Sequence, residues 1–311
     1  MSRRGFISFV TCSALLATAA AASGADASHA DGSKHVPAGH PVHHPPVIGF
    51  MTDFNTLDDA VGLCKGVMLG IAPDAQIVDI THQVTPFSIT DGARYLLRAA
   101  EYFPADAVFV VVIDPGVGTD RAPIIARDKR GQYFVLPNNG LLTLVQDRIG
   151  ITGAHAITNP KWMLDAVSNT FHGRDVFSPA GAHLARGERW EEAGPIVSNL
   201  VRLDLKTAIS SGDRIQGSVV ALDGPFGNLI TNVSKERFEE LGYRLGDMVQ
   251  VSIGEQTFDV PYVRTFGEVP PGSPLLYIDS SSLVSFALNQ DNFAKVHGIV
   301  PPVTLILSRK P

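Results

Sequence analysis

The chain has 311 residues, which is too many for one small hydrophobic core and enough for two domains. It is 45% hydrophobic and 18% charged, as ordinary globular proteins are. Its formal net charge is −6 and it has no long basic run, which argues against nucleic acid as a partner.

The first 27 residues have the pattern of an export signal. SRRGFI at residues 2–7 is a twin-arginine pattern, an apolar stretch follows, and ADA at residues 25–27 offers a cleavage site. The apolar stretch is too short for a stop-transfer helix. We therefore expect export by the twin-arginine pathway to a periplasmic or secreted location, with no membrane contact after the signal is removed.

Residues 28–46 hold five of the ten histidines, among proline, glycine and alanine. This composition cannot bury a core, so it predicts a disordered linker. The histidines have two interpretations. They could weakly capture a transition metal, or they could simply form a solvated, pH-sensitive tail.

Strand and helix patterns alternate over residues 47–195. Apolar runs predict strands at 47–51, 76–80 and 108–113, and helical periodicity predicts helices at 58–69 and 89–101. We also expect a hairpin, with strands near 124 and at 133–136. Two further helices, near 141–147 and 178–185, complete this part. The βαβαβ order predicts an α/β catalytic domain with a mainly parallel sheet.

Short β-rich runs dominate the rest of the chain, at 217–222, 248–253, 258–263, 274–278 and 303–307. Turn signals separate them, which is typical of a small all-β domain. We therefore expect a barrel-like second domain over residues 212–311.

The two cysteines are not expected to form a disulfide. Cys12 lies in the predicted signal, so the mature chain would keep only Cys64. Cys64 lies on an apolar helical face, which favours a buried structural thiol over a nucleophile.

Two aspartates follow predicted parallel strands. Asp53 comes after the first strand and Asp114 after the third, at the sheet edge where ligands bind in such folds. A carboxylate at Asp53 suits two vicinal ribose hydroxyls. The alternative for Asp53 is a helix N-cap or a turn former, although Asp58 is also available as the cap.

Asp114 opens a glycine-broken turn that ends in Arg121, and His172 follows in TFHGRD at residues 170–175. An acid, a cation and a histidine on turns beside buried elements are typical of an active site. The alternative is a buried ion pair that shapes the turn, with His172 as a satisfied core residue. The chain contains none of the common phosphate-loop, zinc or serine-hydrolase motifs.

The segment DGPFGN at residues 223–228 is composed of turn-forming residue types. It also places Phe226 beside Asn228. This pair is what an adenine pocket needs, because the ring stacks on the base and the amide reads its edge.

In combination, these segments resemble the S-adenosylmethionine hydrolase (adenosine-forming) family, also called SAM hydroxide adenosyltransferases, which are relatives of the fluorinase and chlorinase. The similarity covers residues 47–311. The matching segments are TDFNTLDDAVGLCKGV from residue 52, VDITHQVTPFSITDGA from 78, YFPADAVFVVVIDPGVGTDR from 102, PNNGLLT from 137, TFHGRDVFSPAGAHLARG from 170 and DGPFGNLITNV from 223.

The resemblance implies roles for residues in the first domain. The family's Asp-Arg-His triad falls on Asp114, Arg121 and His172. The ribose-binding aspartate falls on Asp53, and the aromatic residue that flanks the ligand falls on Phe87.

In the second domain, the resemblance implies that Asp223 holds the methionine amino group and that Phe226 and Asn228 read adenine. The family's Asn-Ser-x-Gly segment, which helps hold the methionine carboxylate and adenine, is here Asp-Ser-Ser-Ser at 279–282, with Ser280 at the serine. Asn55 stands where glycine is usual, and Gln290 where a small residue is common.

The resemblance also implies a homotrimer whose sites lie between subunits, with no metal and no cofactor. It implies that water or hydroxide attacks ribose C5′ of S-adenosyl-L-methionine and releases adenosine and L-methionine. Halogenases carry Tyr-Ser or a similar pair at His172-Gly173 and lack the acid at Asp114, which favours water over halide. The alternatives are activity on another 5′-substituted adenosine in the periplasm, and a non-catalytic nucleoside-binding or metal-scavenging protein.

Overall fold

The computed structural model describes residues 45–310. The predicted export signal and residues 28–44 of the predicted linker lie outside the described residues, so both remain predictions.

The first part of the described chain builds a six-stranded sheet. Its strands are β1 (Val47–Thr52), β2 (Gln76–Thr81), β3 (Val108–Val112), β4 (Pro123–Asp128), β5 (Tyr133–Pro137) and β6 (Ile151–Ala156). They lie in the order β2-β1-β3-β5-β4-β6. The pairings among β1, β2, β3 and β5 are parallel, and β4 pairs antiparallel with β5 and β6.

Helices cover both faces of this sheet. They are α1 (Ala60–Ile71), α2 (Ile89–Tyr102), α3 (Thr143–Arg148) and α4 (Ser178–Ala185), the last of which follows a π-helical turn, Gly173–Phe177. One core packs α1 and α4 against the sheet, and a second core packs α2 and α3 against the other face. All residues of β3 are buried, as expected for a central strand of a covered parallel sheet.

The second part is an antiparallel sheet with two one-turn helices. Its elements are β7 (Ile209–Ser211), β8 (Arg214–Asp223), β9 (Asn228–Ser234), α5 (Lys235–Glu239), β10 (Met248–Ile253), β11 (Gln256–Pro261), β12 (Pro274–Ile278), β13 (Leu283–Leu288), α6 (Phe293–His297) and β14 (Val303–Ser308).

This second sheet nearly closes into a barrel around its own apolar core. Its order is β11-β10-β14-β8-β9-β13-β12, with β7 paired to β8. The two end strands approach each other, because Val263, just after β11, donates its N–H to the carbonyl of Leu276 in β12 at 2.9 Å. The predicted fold class, an α/β domain followed by a smaller barrel-like β domain, is confirmed.

Cys64 is fully buried on α1. Burial raises the pKa of its thiol to about 11, so the thiol is protonated at neutral pH. The interpretation of Cys64 as a structural thiol agrees with this environment. No helix within residues 45–310 is long and apolar enough to cross a membrane.

Candidate functional site

The sheet topology brings the two strand-end aspartates to one edge. Strands β1 and β3 are parallel neighbours, and their last residues, Thr52 and Val112, are paired in register. Asp53 follows directly after one strand, and Asp114 follows two residues after the other. Both carboxylates therefore lie at the carboxyl edge of adjacent strands, where open parallel sheets bind ligands.

Asp114 and Arg121 form a forked ion pair. Nε of Arg121 lies 2.9 Å from each carboxylate oxygen of Asp114, and its Nη2 also donates to Oδ2. The side chains are only 4% and 9% exposed, respectively. The guanidinium also lies 5.3 Å from the ring centroid of Phe177, a cation–π contact that fixes its other side. The pair is therefore charged, desolvated and held in one geometry.

His172 joins this pair from a different segment. Its Nδ1 lies 2.7 Å from Nη2 of Arg121. Since a guanidinium can only donate, Nδ1 must accept, and a neutral ring then carries its proton on Nε2. Burial and the Arg121 charge lower the pKa of His172, while Asp114 and Asp175 act in the opposite direction. The structure thus contains the buried ion pair of the alternative interpretation, but it also couples that pair to a partly exposed, neutral histidine.

Close backbone packing sets the position of His172. Gly118 in the turn after Asp114 has φ +76°, and a Cβ there would lie 2.4 Å from the carbonyl oxygen of Asn169. A Cβ on Gly173 would lie 2.9 Å from the ring of Phe54. Only glycine therefore fits at position 118 without moving the backbone, and a Cβ at position 173 would displace the Phe54 ring.

A buried carboxylate also supports this segment. Asp175 is fully buried, and its Oδ2 accepts the N–H of Ser168 at 2.8 Å. Its other oxygen pairs with Nε of Arg174 at 2.6 Å. The loop from 168 to 175 is therefore closed by its own hydrogen bonds, and its sequence alone did not reveal this role for Asp175.

Asp53 and Phe87 are in direct contact. Oδ2 of Asp53 accepts the backbone N–H of Phe87 at 2.8 Å. Phe87 is 73% exposed, and its backbone has φ +66°. The alternative role of Asp53 as the cap of α1 is not what the structure shows, because Oδ1 of Asp58 accepts the N–H of Ala60 there.

The residues of the second domain lie where β8 turns into β9. Asp223 ends β8, a 3-10 turn covers Gly224–Phe226, and Asn228 begins β9. Nδ2 of Asn228 lies 3.5 Å from Oδ2 of Asp223, and the Phe226 ring is 65% exposed. The segment is therefore a turn, as its composition predicts, and this turn presents an aromatic ring to the surface beside a buried amide.

A cavity of about 520 Å³ lies between this domain and α2. Asp223 and Ser280 both line it, together with Tyr277 and Asp279. Burial raises the pKa of Tyr277 to about 12, and the charges of Asp223 and Asp279 act in the same direction. Sequence reasoning missed Tyr277, because it is one residue of an apolar strand and only the fold places it beside Asp223.

The sequence-predicted site residues thus form two separate groups. One group, on the first sheet, contains Asp53, Phe87, Asp114, Arg121 and His172. The other, on the second sheet, contains Asp223, Phe226, Asn228 and Ser280. Within residues 45–310, no hydrogen bond or ion pair joins the two groups, and no cluster of three or more His, Cys, Asp or Glu is placed to hold a metal ion.

Two family models match the chain. The SAM hydroxide adenosyltransferase N-terminal domain matches residues 48–194, and the C-terminal domain of the same family matches residues 217–304. These ranges coincide with the two sheets described above.

Relatives and solved structures agree with these matches. An (R)-S-adenosyl-L-methionine hydrolase from Salinispora arenicola (strain CNS-205) is 37% identical over 82% of this chain and 95% of its own length. A fluorinase from Actinoplanes sp. (strain N902-109) is 33% identical over 86% of this chain and 99% of its own. The crystal structure of an uncharacterized conserved protein from Thermotoga maritima superposes with a TM-score of 0.80 at 35% identity, over 84% of this chain and 100% of the other.

Proposed function

Because the chain belongs to the SAM hydroxide adenosyltransferase family, we propose that it hydrolyses S-adenosyl-L-methionine to adenosine and L-methionine. The family processes S-adenosylmethionine, and its members include proteins named as hydrolases and as fluorinases. The observation that carries the choice of water is the buried Asp114–Arg121 pair bonded to neutral His172.

In the proposed reaction, a water or hydroxide oxygen attacks ribose C5′ from the side opposite the sulfonium. A C5′–O bond forms and the C5′–S bond breaks, and its electron pair leaves on sulfur as neutral methionine. When the nucleophile is water, one proton passes from it to the solvent; when it is hydroxide, no proton is released. The leaving group needs no general acid, so the protein's task is to position the oxygen and stabilise its charge.

The tautomer of His172 indicates how this is done. Nδ1 is occupied by Arg121, so the Nε2–H group is left to donate to the attacking oxygen. This N–H group can hold a neutral water molecule and stabilise the charge that develops on its oxygen as the C5′–O bond forms. We therefore propose that His172 orients and stabilises the nucleophile, and that Arg121, kept in place by Asp114, fixes the ring for this role.

The same groups argue against a halide nucleophile. Asp114 is a nearly buried carboxylate paired with Arg121, so the pair presents no net positive charge to bind a halide anion, and the resemblance implies that halogenases lack this acid. A water molecule, by contrast, can donate to a carboxylate or accept from the imidazole. This supports hydrolysis over halogenation, although relatives of both names match this chain.

The separation of the two residue groups supports a site shared between subunits. Asp53 and the triad lie on one domain, and Asp223, Phe226 and Asn228 lie on the other, with no bond between the groups within the described chain. We propose a homotrimer in which the first group of one subunit faces the second group of its neighbour. The reaction needs no metal and no cofactor.

The test is direct product analysis of the purified mature chain. S-adenosyl-L-methionine is incubated in H₂¹⁸O with no halide, with chloride and with fluoride, and each epimer at sulfur is used separately because hydrolase relatives are named for the (R) form. We expect adenosine labelled at the 5′ oxygen, in equal amounts in all three buffers. A 5′-halogenated adenosine would overturn the proposal.

The triad is tested in the same assay. His172→Ala and Asp114→Ala should lose most of kcat while substrate binding, measured by calorimetry, persists. His183→Ala is the matched control, because it removes a histidine of α4 that pairs with Glu188. Unchanged turnover in either triad variant would contradict the assigned roles.

A second candidate is the same chemistry on another 5′-substituted adenosine. The segment at 279–282 that replaces the family's Asn-Ser-x-Gly motivates it, since both oxygens of the Asp279 side chain already accept hydrogen bonds within the chain, from the N–H groups of Ser281 and Leu283 and from the Ser285 hydroxyl. Turnover of 5′-methylthioadenosine equal to that of S-adenosylmethionine would favour this candidate.

A further inference from the structure

Two loops that carry proposed substrate-binding residues are tied to each other. One runs from Thr52 to Asn55 and the other from His82 to Phe87. Besides the bond from Phe87 N–H to Asp53, the N–H of Asn55 donates to the carbonyl of His82 at 2.6 Å. The position of Asp53 therefore depends on how the second loop is held.

The buried side chain of His82 holds the first of these two loops in place. This side chain is 3% exposed, and its Nδ1 lies 2.9 Å from Oγ1 of Thr52. That hydroxyl already accepts the N–H of Phe54 at 3.1 Å. The buried hydroxyl proton still needs an acceptor, and Nδ1 is in place to be that acceptor. His82 thus fixes the hydroxyl that in turn fixes the backbone directly after Asp53.

The other side of the His82 ring faces a carboxylate. Nε2 lies 3.1 Å from Oδ1 of Asp79, a close electrostatic contact without the alignment of a good hydrogen bond. Lys65 binds the second oxygen of Asp79 at 2.6 Å. Partial burial of Asp79 raises its pKa, but Lys65 and His82 lower it by more, so the carboxylate stays ionised. The ring is also packed edge-on against Phe50, at 4.8 Å between centroids.

An apolar side chain would fill the same space without this network. Burying an imidazole is unfavourable unless its nitrogens meet polar groups, and here Nδ1 meets the Thr52 hydroxyl while Nε2 faces the charge of Asp79. The two loops also contain Asn55 at φ +65° and Phe87 at φ +66°. Left-handed backbone at residues other than glycine persists only where surrounding contacts hold it.

We propose that His82 is a positioning residue for ribose recognition, which holds Asp53 and Phe87 in the geometry that selects a ribonucleoside. The role rests on the proposed function, because Asp53 is taken as the ligand of the ribose hydroxyls. It predicts that a chain without His82 still folds but binds adenosine with less preference over 2′-deoxyadenosine.

The test measures the ratio of two dissociation constants, for 2′-deoxyadenosine and for adenosine, by calorimetry. The native chain should prefer adenosine. In His82→Leu, the ratio should fall about tenfold, the loss expected for one misplaced hydrogen bond to a charged group. His82→Asn keeps an acceptor for Thr52 and should retain most of the preference.

His155→Leu is the matched control. His155 lies on β6, at the far end of the same sheet, where it bonds the carbonyl of Gly194 and packs on Trp190. It should leave the ratio unchanged. If His82→Leu does not fold, Thr52→Val removes the hydroxyl with little change in shape and should lower the ratio in the same direction.

An unchanged ratio in folded His82→Leu or in Thr52→Val would overturn the proposal, as would a native chain without preference for adenosine. The binding measurement needs no turnover. Failure to form adenosine from S-adenosylmethionine would therefore refute the hydrolase function. The ratio of the two dissociation constants would still test the role of His82.

Discussion

Asp114 and Arg121 act in opposite directions on His172. Arg121, together with burial, lowers the pKa of the imidazole, and Asp114 raises it. Because the lowering influences prevail, His172 is neutral at pH 7 and accepts from Arg121. Protonation would place a second cation against the guanidinium and break that bond, so the neutral ring is the form that the site requires.

The pH dependence of turnover follows from this arrangement. We expect kcat/KM to be constant around neutral pH and to fall as pH drops through the lowered pKa of His172, with a midpoint below that of an ordinary histidine. A pH–rate profile checks this, and a midpoint at or above the ordinary value would contradict it. In Asp114→Asn, loss of the carboxylate charge should lower the His172 pKa further, as measured by NMR of the ring.

Ser282 carries a backbone strain that glycine would relieve. It has φ +62°, at a position where the family resemblance implies glycine. A left-handed conformation costs other residues about 1–2 kcal/mol, and added glycine entropy in the unfolded chain offsets about 0.5–1 kcal/mol of the gain. Ser282→Gly should therefore stabilise the fold by up to about 1 kcal/mol in denaturant unfolding.

Ser281→Gly is the control for this prediction. Ser281 is not among the residues with positive φ, so glycine brings no relief and should destabilise by about 0.5–1 kcal/mol. Equal shifts in the two variants would show that the Ser282 backbone is not strained.

At the scale of elements, the His172 segment packs on the Asp53 loop through Gly173 and Phe54. A methyl group on Gly173 would meet the Phe54 ring at 2.9 Å, and that ring is itself packed edge-on against Phe171. Gly173→Ala should destabilise by about 1–3 kcal/mol, as overpacking does.

A double-mutant cycle identifies the cause. In a Phe54→Leu background, the same change should cost at least about 1 kcal/mol less, because the ring is gone. Denaturant unfolding of the four proteins gives the coupling energy. Additive effects would mean that Gly173 is required for some other reason.

The strands that sequence patterns predicted have either a continuous apolar run, such as β3, or a regular alternation of apolar and polar residues, such as β10. The patterns missed β6, which contains Gly153 and His155. They also missed β9, which begins at Asn228 and contains Asn232. In these strands polar or small residues interrupt the run, and pairing partners distant in sequence stabilise them. Local pattern contains no information about such partners.

The candidate site divides in the same way. The strand-end rule placed Asp53 and Asp114 at one edge, because that rule depends only on strand order. The tautomer of His172, the closure of its loop by Asp175 and the approach of Tyr277 to Asp223 depend on contacts between residues far apart in the chain. These could be found only in the folded molecule.

At the scale of the whole molecule, the proposed shared site predicts complementation between inactive chains. Asp114→Ala disables the first group of residues, and Asn228→Ala disables the second. If each site takes one group from each of two neighbours, a trimer that contains both chains has one working site in three, so it should regain about a third of native activity. Co-expressed chains, purified by two tags and assayed for adenosine, provide the measurement.

The control is a mixture of chains that both carry the first defect, Asp114→Ala with His172→Ala. Every site in that mixture lacks a working triad, so activity should stay at the level of the single variants. If the first mixture also stays inactive while native mass shows a trimer, each site is built from one chain.

The buried thiol of Cys64 lies between α1 and the segment that carries His172, 3.6 Å from where a Cβ on Gly173 would be. Once the predicted signal with Cys12 is removed, Cys64 is the sole cysteine of the chain. A dye that attacks thiolates will not label it while this junction is closed. The labelling rate therefore reports how often the segment that carries His172 detaches from α1, and the chain contains its own probe of this opening.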